Sequence, residues 1–152
     1  EFVDFESEDC LAYFPGIEQL RADYGDRVTF VVRHLPLQNN SRNAALASEA
    51  AADQGRFEDM YQRLFETAQQ WGNQQDSQRA FFEGLASEMG LDMDRYRASV
   101  ADPATTARIE QSVADGRSLG VKRTPAFYLN EHKLIPSSAD DLRRDILQAL
   151  GS

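Results

Sequence analysis

Glu1 to Pro15 reads EFVDFESEDCLAYFP, and this stretch decides the fold: a short apolar strand runs straight into the first turn of a helix. Phe2, Val3 and Phe5 make a β-prone run. Ser7, Glu8 and Asp9 then supply a hydroxyl that caps a helix and two acids that face the positive end of its dipole. The strand-to-helix joint is therefore expected at Ser7. Cys10, the only cysteine in the chain, falls three residues on, one turn along and on roughly the same face as Ser7. Pro15 interrupts what is otherwise a continuous helix to Tyr24, removes a backbone donor and is expected to kink it. Ser-x-x-Cys at a helix start is what remains when the first sulfur of a Cys-x-x-Cys pair is exchanged for oxygen.

Outward from this stretch, Ile17 and Leu20 are expected on the buried side of the first helix, which Gly25-Asp26 closes. Val28 to Val32, VTFVV, is a continuous apolar run that predicts a strand buried on both faces, as in a parallel sheet. Strand, helix, strand is a βαβ unit. From Ser41 to about Leu119 the periodicity is helical throughout. Asn43 to Asp53 is Ala-rich and stops at Gly55; Phe57, Met60, Tyr61, Leu64 and Phe65 have helical spacing, as do Phe81, Phe82, Leu85, Ala86 and Met89. Asp92 to Val100 is a shorter helix, and Asp102-Pro103 pairs an N-cap with proline at the first helical position. Strand character returns at Ala126 to Leu129 and, past a turn at Asn130-Glu131, at Lys133 to Ile135. A last helix is predicted from about Ala139 to Leu150, with Ser138 and Asp141 as a variant capping box.

Composition bounds the function. The chain has 152 residues, 41% apolar and 27% charged, one ordinary domain with a substantial core. A net charge of −9, with no basic patch evident along the sequence, argues against a nucleic-acid or anionic-membrane surface. No apolar run is long enough to span a bilayer. Because the chain opens inside a strand without Met, a further segment is expected upstream of Glu1, a secretory signal or membrane anchor being one candidate, and a membrane would enter only through such an anchor. His34, His132 and Cys10 have no metal-ligand spacing, and neither metal nor cofactor is expected. Trp71 and Phe81-Phe82 read as core or cap of the helical layer.

The opening motif, the proline five residues past Cys10, the RHLPL run from Arg33 to Leu37 and the Thr124-Pro125 pair before a strand resemble the DsbA-like thiol-disulfide oxidoreductases. The resemblance covers nearly the whole chain. It implies an α/β thioredoxin fold (βαβ plus ββα), with residues 1–40 and 120–152 as the thioredoxin-like frame and 41–119 as an inserted helical subdomain. It implies that Ser7 stands where the family carries its attacking cysteine, and that Cys10 corresponds to the second, more buried one, which resolves a mixed disulfide. It further implies a cis-proline at Pro125, with Thr124 pairing its backbone to an extended substrate and Arg123 beside that groove, where members often have Gly. Partners by this resemblance are client polypeptides with thiols or disulfides and a redox partner for reoxidation, outside the cytoplasm.

Thiolate is the attacking species in disulfide exchange, and a hydroxyl neither ionises as readily nor joins a disulfide. With Ser7 in place, by engineering or by natural loss, the chain is expected not to cycle between dithiol and disulfide. Plainer readings stand beside this one: a lone helical Cys is commonly a small buried hydrophobe, and Ser7 an ordinary N-cap. Two alternative functions follow, a redox-silent peptide-binding or chaperone relative, and a kappa-type glutathione transferase in which Ser7 holds the glutathione thiolate and Pro125 its backbone.

Overall fold

Phe2–Val3 forms strand β1, which pairs in parallel with Arg33–His34 of β2, Phe2 opposite Arg33 and Val3 opposite His34. Helix α1, Glu8–Tyr24, crosses between them, completing the βαβ unit. On its other side β1 meets the returning chain in antiparallel sense: the Phe2 amide donates to the Ala126 carbonyl at 2.8 Å, and the Ala126 amide to the Phe2 carbonyl at 3.1 Å. Ala126 leads into β3, Phe127–Leu129, which turns at Asn130 onto antiparallel β4, His132–Leu134. β1 is thus interior, and the residues that follow it arrive next to those that precede β3. The computed structural model describes residues 1–151; Ser152, the last residue of the expected second frame segment, lies outside them.

Between β2 and β3 come helices α2 (Ser41–Ala52), α3 (Phe57–Glu66), α4 (Ala68–Trp71), α5 (Arg79–Glu88), α6 (Met93–Ala101) and α7 (Pro103–Ser118). α2 is central, touching α3, α5, α6 and α7, and its buried Ala44, Ala45, Ala47, Ala50 and Ala51 let those helices approach closely. Asp92 and Asp102 cap α6 and α7 through their carboxylates, with Pro103 opening α7. Trp71 is fully buried, packs edge-on to Phe82 and donates its indole N–H to the Leu64 carbonyl at 3.0 Å. α8, Ala139–Ala149, lies against α1, and Ile17, Leu20, Tyr24, Phe127, Leu142 and Ile146 make their shared core. Gly16 is required there: a Cβ on it would sit 2.2 Å from the Ala139 Cβ.

Three expectations change. The strand expected over Val28–Val32 is instead Arg33–His34, and the run is not buried on both faces, since Thr29 is exposed and Val31 is 55% exposed. The ladder beside β1 reaches back only to Glu1, whose N-terminal amine donates to the Val31 carbonyl at 2.8 Å and whose carbonyl accepts from the Arg33 amide at 2.7 Å. Residues before Val31 have no ladder partner among those described. The second strand of the hairpin is His132–Leu134, one residue earlier than expected, leaving Ile135 90% exposed. Gly25 ends α1 with φ −60°, a right-handed conformation; glycine is needed there because a Cβ would lie 2.6 Å from the Arg21 carbonyl oxygen.

Candidate functional site

Ser7 has the extended backbone of an N-cap (φ −76°, ψ 125°), and its Oγ accepts the Cys10 amide at 3.3 Å. The same hydroxyl donates to the Thr124 carbonyl at 3.4 Å, across 117 residues of sequence. That meeting follows from the sheet: antiparallel pairing at Phe2 and Ala126 brings the chain leaving β1 alongside the chain entering β3. The peptide bond between Thr124 and Pro125 is cis. Ser7, Cys10, Thr124 and Pro125 therefore share one site, while the exposed Arg123 lies in the groove outside it.

Cys10 is 2% exposed, a free thiol on the inner side of α1. Burial pushes its pKa up from 9.0 to about 11, although the Asp4 backbone and the Thr124 and Ser7 hydroxyls each favour the thiolate. Desolvation of a buried anion here outweighs three hydrogen-bonding groups and the helix start. Glu8 and Asp9, the acids of the first turn, are exposed; the carboxylate that raises the thiol further is Glu1. At neutral pH Cys10 is a protonated, shielded thiol.

Two buried carboxylates that the sequence reading passed over flank Phe5. Glu6 accepts the Asn40 amide at 2.8 Å, the Asn73 amide at 3.0 Å and the Ser41 hydroxyl at 3.3 Å, tying the strand-to-helix joint to segments next to α2 and α5. Asp4 accepts the Glu6 and Leu37 amides, each at 2.9 Å, and burial raises its pKa. An acid on either side of Phe5, in the apolar run that leads from β1 into the helix, is the signal: such groups stay buried only when donors converge on them. His34, at the end of β2, is buried with Nε2 2.7 Å from Glu49 Oε1, and Arg108 donates to the other Glu49 oxygen at 2.9 Å. His132 is exposed on β4. Among the described residues no cluster of three or more His, Cys, Asp or Glu side chains is placed to hold a metal.

The surface beside the motif is grooved on both sides. One groove runs between Ser7, Leu11 and the Ala68–Asn73 segment. The other, of about 710 Å³, passes between Asp9 and Tyr13 on α1 and the segment from Gly120 through Pro125, and on to Lys133 and Ile135. The Lys122, Arg123 and Thr124 amides make no hydrogen bond with the described residues, so this edge of the backbone is open to an extended chain.

A family model described as thioredoxin matches residues 1–148. Among solved structures, the chain is similar to a thioredoxin-like oxidoreductase from Silicibacter pomeroyi DSS-3, at 25% identity and a TM-score of 0.83, covering 100% of this chain and 85% of that one. BdbD from Bacillus subtilis has the same fold, with 20% identity, a TM-score of 0.84 and coverage of 100% and 86%. The Na(+)/H(+) antiporter NhaA of Herminiimonas arsenicoxydans is 37% identical over 134 residues, which are 88% of this chain and 21% of that protein. The chain spans about a fifth of the length of the curated relatives it matches.

Proposed function

This chain belongs to the thioredoxin family, and from that premise we propose that it is a DsbA-like thiol-disulfide oxidoreductase module whose attacking position is filled by Ser7. In this form it binds extended client segments beside Pro125 without cycling between dithiol and disulfide. The observation that carries the reading is the shared position of Ser7, Cys10 and Thr124: the Ser7 hydroxyl caps the helix at the Cys10 amide and reaches the Thr124 carbonyl, with the one sulfur buried behind it. A thiol at that cap would face the unsatisfied amides of the helix start, which favour thiolate, whereas the hydroxyl stays protonated. In this reading residues 1–40 and 120–151 are the frame of the module, and 41–119 an inserted helical layer tied to the motif through Glu6.

Exchange of disulfides with folding clients belongs outside the cytoplasm, where disulfides persist. The antiporter relatives are matched over a fifth of their length, so the likeness is to part of those proteins and does not extend to ion exchange. Among the described residues no helix is long and apolar enough to cross a membrane. The glutathione transferase alternative has less support, because the Ser7 proton is directed inward to the Thr124 carbonyl rather than outward to a bound thiolate.

The test is Ser7→Cys in an insulin-reduction assay with dithiothreitol as the source of electrons. The new thiolate attacks an insulin disulfide and releases one insulin thiol. Cys10 then attacks the mixed disulfide, releasing the second thiol and leaving an enzyme disulfide that dithiothreitol reduces. Catalysis by S7C and none by the parent is the expected result. A folded S7C without activity refutes the assignment of the attacking position.

A further inference from the structure

The groove beside Pro125 gathers cations that the rest of the chain leaves nowhere else unmatched in such density. Lys122 and Lys133, both of the lysines in the chain, line it together with Arg123, and all three are exposed. None has a carboxylate partner among the described residues. Most arginines elsewhere are matched with carboxylates, among them Arg42 with Glu110, Arg63 with Glu88, Arg108 with Glu49 and Asp53, and Arg143 with Asp23, whereas Arg79 and Arg95 donate to neutral oxygens. A chain of net charge −9 that pairs most of its arginines with its own acids, yet gathers three unpaired cations along one groove, is locally cationic there against its overall charge.

Resting on the proposed peptide-binding role of this groove, we propose that its occupant is an acidic extended polypeptide segment, selected by Lys122, Arg123 and Lys133. The open amides of residues 122–124 supply strand-like backbone pairing that reads no sequence. Selectivity then comes from side chains that alternate above the groove floor. On the 122–124 side and on Lys133 they meet ammonium and guanidinium groups, and at Ile135 an exposed aliphatic surface. Asp9, on the α1 wall, is the one acid lining the groove, and it sets the orientation by repelling a client carboxylate toward the cationic wall.

The experiment uses three cysteine-free fluorescent peptides of one length, carrying Glu, Gln or Lys at the same alternate positions, titrated with the chain as it stands and read by fluorescence anisotropy. At about 0.15 M salt the Debye length is about 8 Å, so the distant negative charge is screened while groove contacts are not. The Glu peptide is expected to bind about tenfold tighter than the Lys peptide, with Gln between, the scale that a few exposed ion pairs supply. In 1 M salt the difference should shrink toward none, and the exposed triple variant K122E/R123E/K133E should reverse the order. Equal binding of all three peptides, or tighter binding of the Lys peptide to the parent, overturns the acidic preference while leaving the peptide groove standing. Binding of none overturns the groove and the preference together.

Discussion

Cys10 should behave as a protected thiol, and the size of the effect follows from its surroundings. Raising the pKa from 9.0 to about 11 cuts the thiolate fraction below pH 9, a loss of about a hundredfold for the two units. A more basic thiolate is intrinsically more nucleophilic, with a Brønsted slope of about 0.4–0.5, which returns roughly six- to tenfold. The net chemical slowing is therefore about 10- to 20-fold, and an exposure of 2% slows the reaction further. The assay is alkylation by iodoacetamide between pH 7 and 10, followed by intact mass, native against urea-unfolded. Native Cys10 should react at least tenfold more slowly, as that slowing requires, its rate still rising where the unfolded chain has levelled off. The same shift acts on stability. Between pH 9 and 11 the unfolded thiol has lost its proton while the folded one keeps it, so stability falls as pH rises. The loss reaches about 2.3 kcal/mol at pH 11 relative to Cys10→Ala, in which the other titrating groups cancel. Native Cys10 reacting as fast as the unfolded chain, with a plateau below pH 9, would refute the dominance of burial over the helix start.

Ser7→Ala removes a cap whose two hydrogen bonds are both long, at 3.3 and 3.4 Å, so urea unfolding should show a loss of about 1 kcal/mol; no loss would mean that water or Glu8 replaces the cap. Gly16→Ala drives a methyl into Ala139 and should destabilise by about 1–3 kcal/mol despite the better helix propensity of alanine. A stabilised G16A would show that α1 and α8 separate freely. For Glu49, burial raises the pKa, but hydrogen bonds from His34 and Arg108 and the charges of both outweigh it and leave it lowered. Its contribution is present above the ordinary value of 4.5 and disappears as pH falls through the folded value, so acid unfolding of the parent should be steeper below that pH than that of Glu49→Gln. Parallel curves would deny the pair its role.

The features legible in the sequence were those fixed by neighbours along the chain. Asp102-Pro103 and the Ser138–Asp141 pair announce helix starts because a cap and its amide lie within a few residues, and Asp102 and Ser138 both cap as read; Asp92, read as the first residue of its helix, caps it instead. The Ala-rich face of α2 and the spacing of Phe57, Met60, Tyr61, Leu64 and Phe65 likewise depend only on the helical period. VTFVV failed as a strand because its pairing depends on what lies alongside, which its own apolar pattern does not state. Asp4 and Glu6 were passed over because Leu37, Asn40 and Asn73, the donors that make their burial affordable, come from well beyond the local segment. The approach of Thr124 to Ser7 came from resemblance alone; no local rule joins residues separated by 117 positions.

The central claim is that the Ser7 hydroxyl occupies the place of an attacking sulfur within reach of Cys10. Oxidising folded S7C with glutathione disulfide and counting free thiols by mass spectrometry tests it most directly. The account predicts that both thiols disappear into one intramolecular disulfide, which dithiothreitol reopens. Two thiols that remain free, or that react only with glutathione and never with each other, would contradict it.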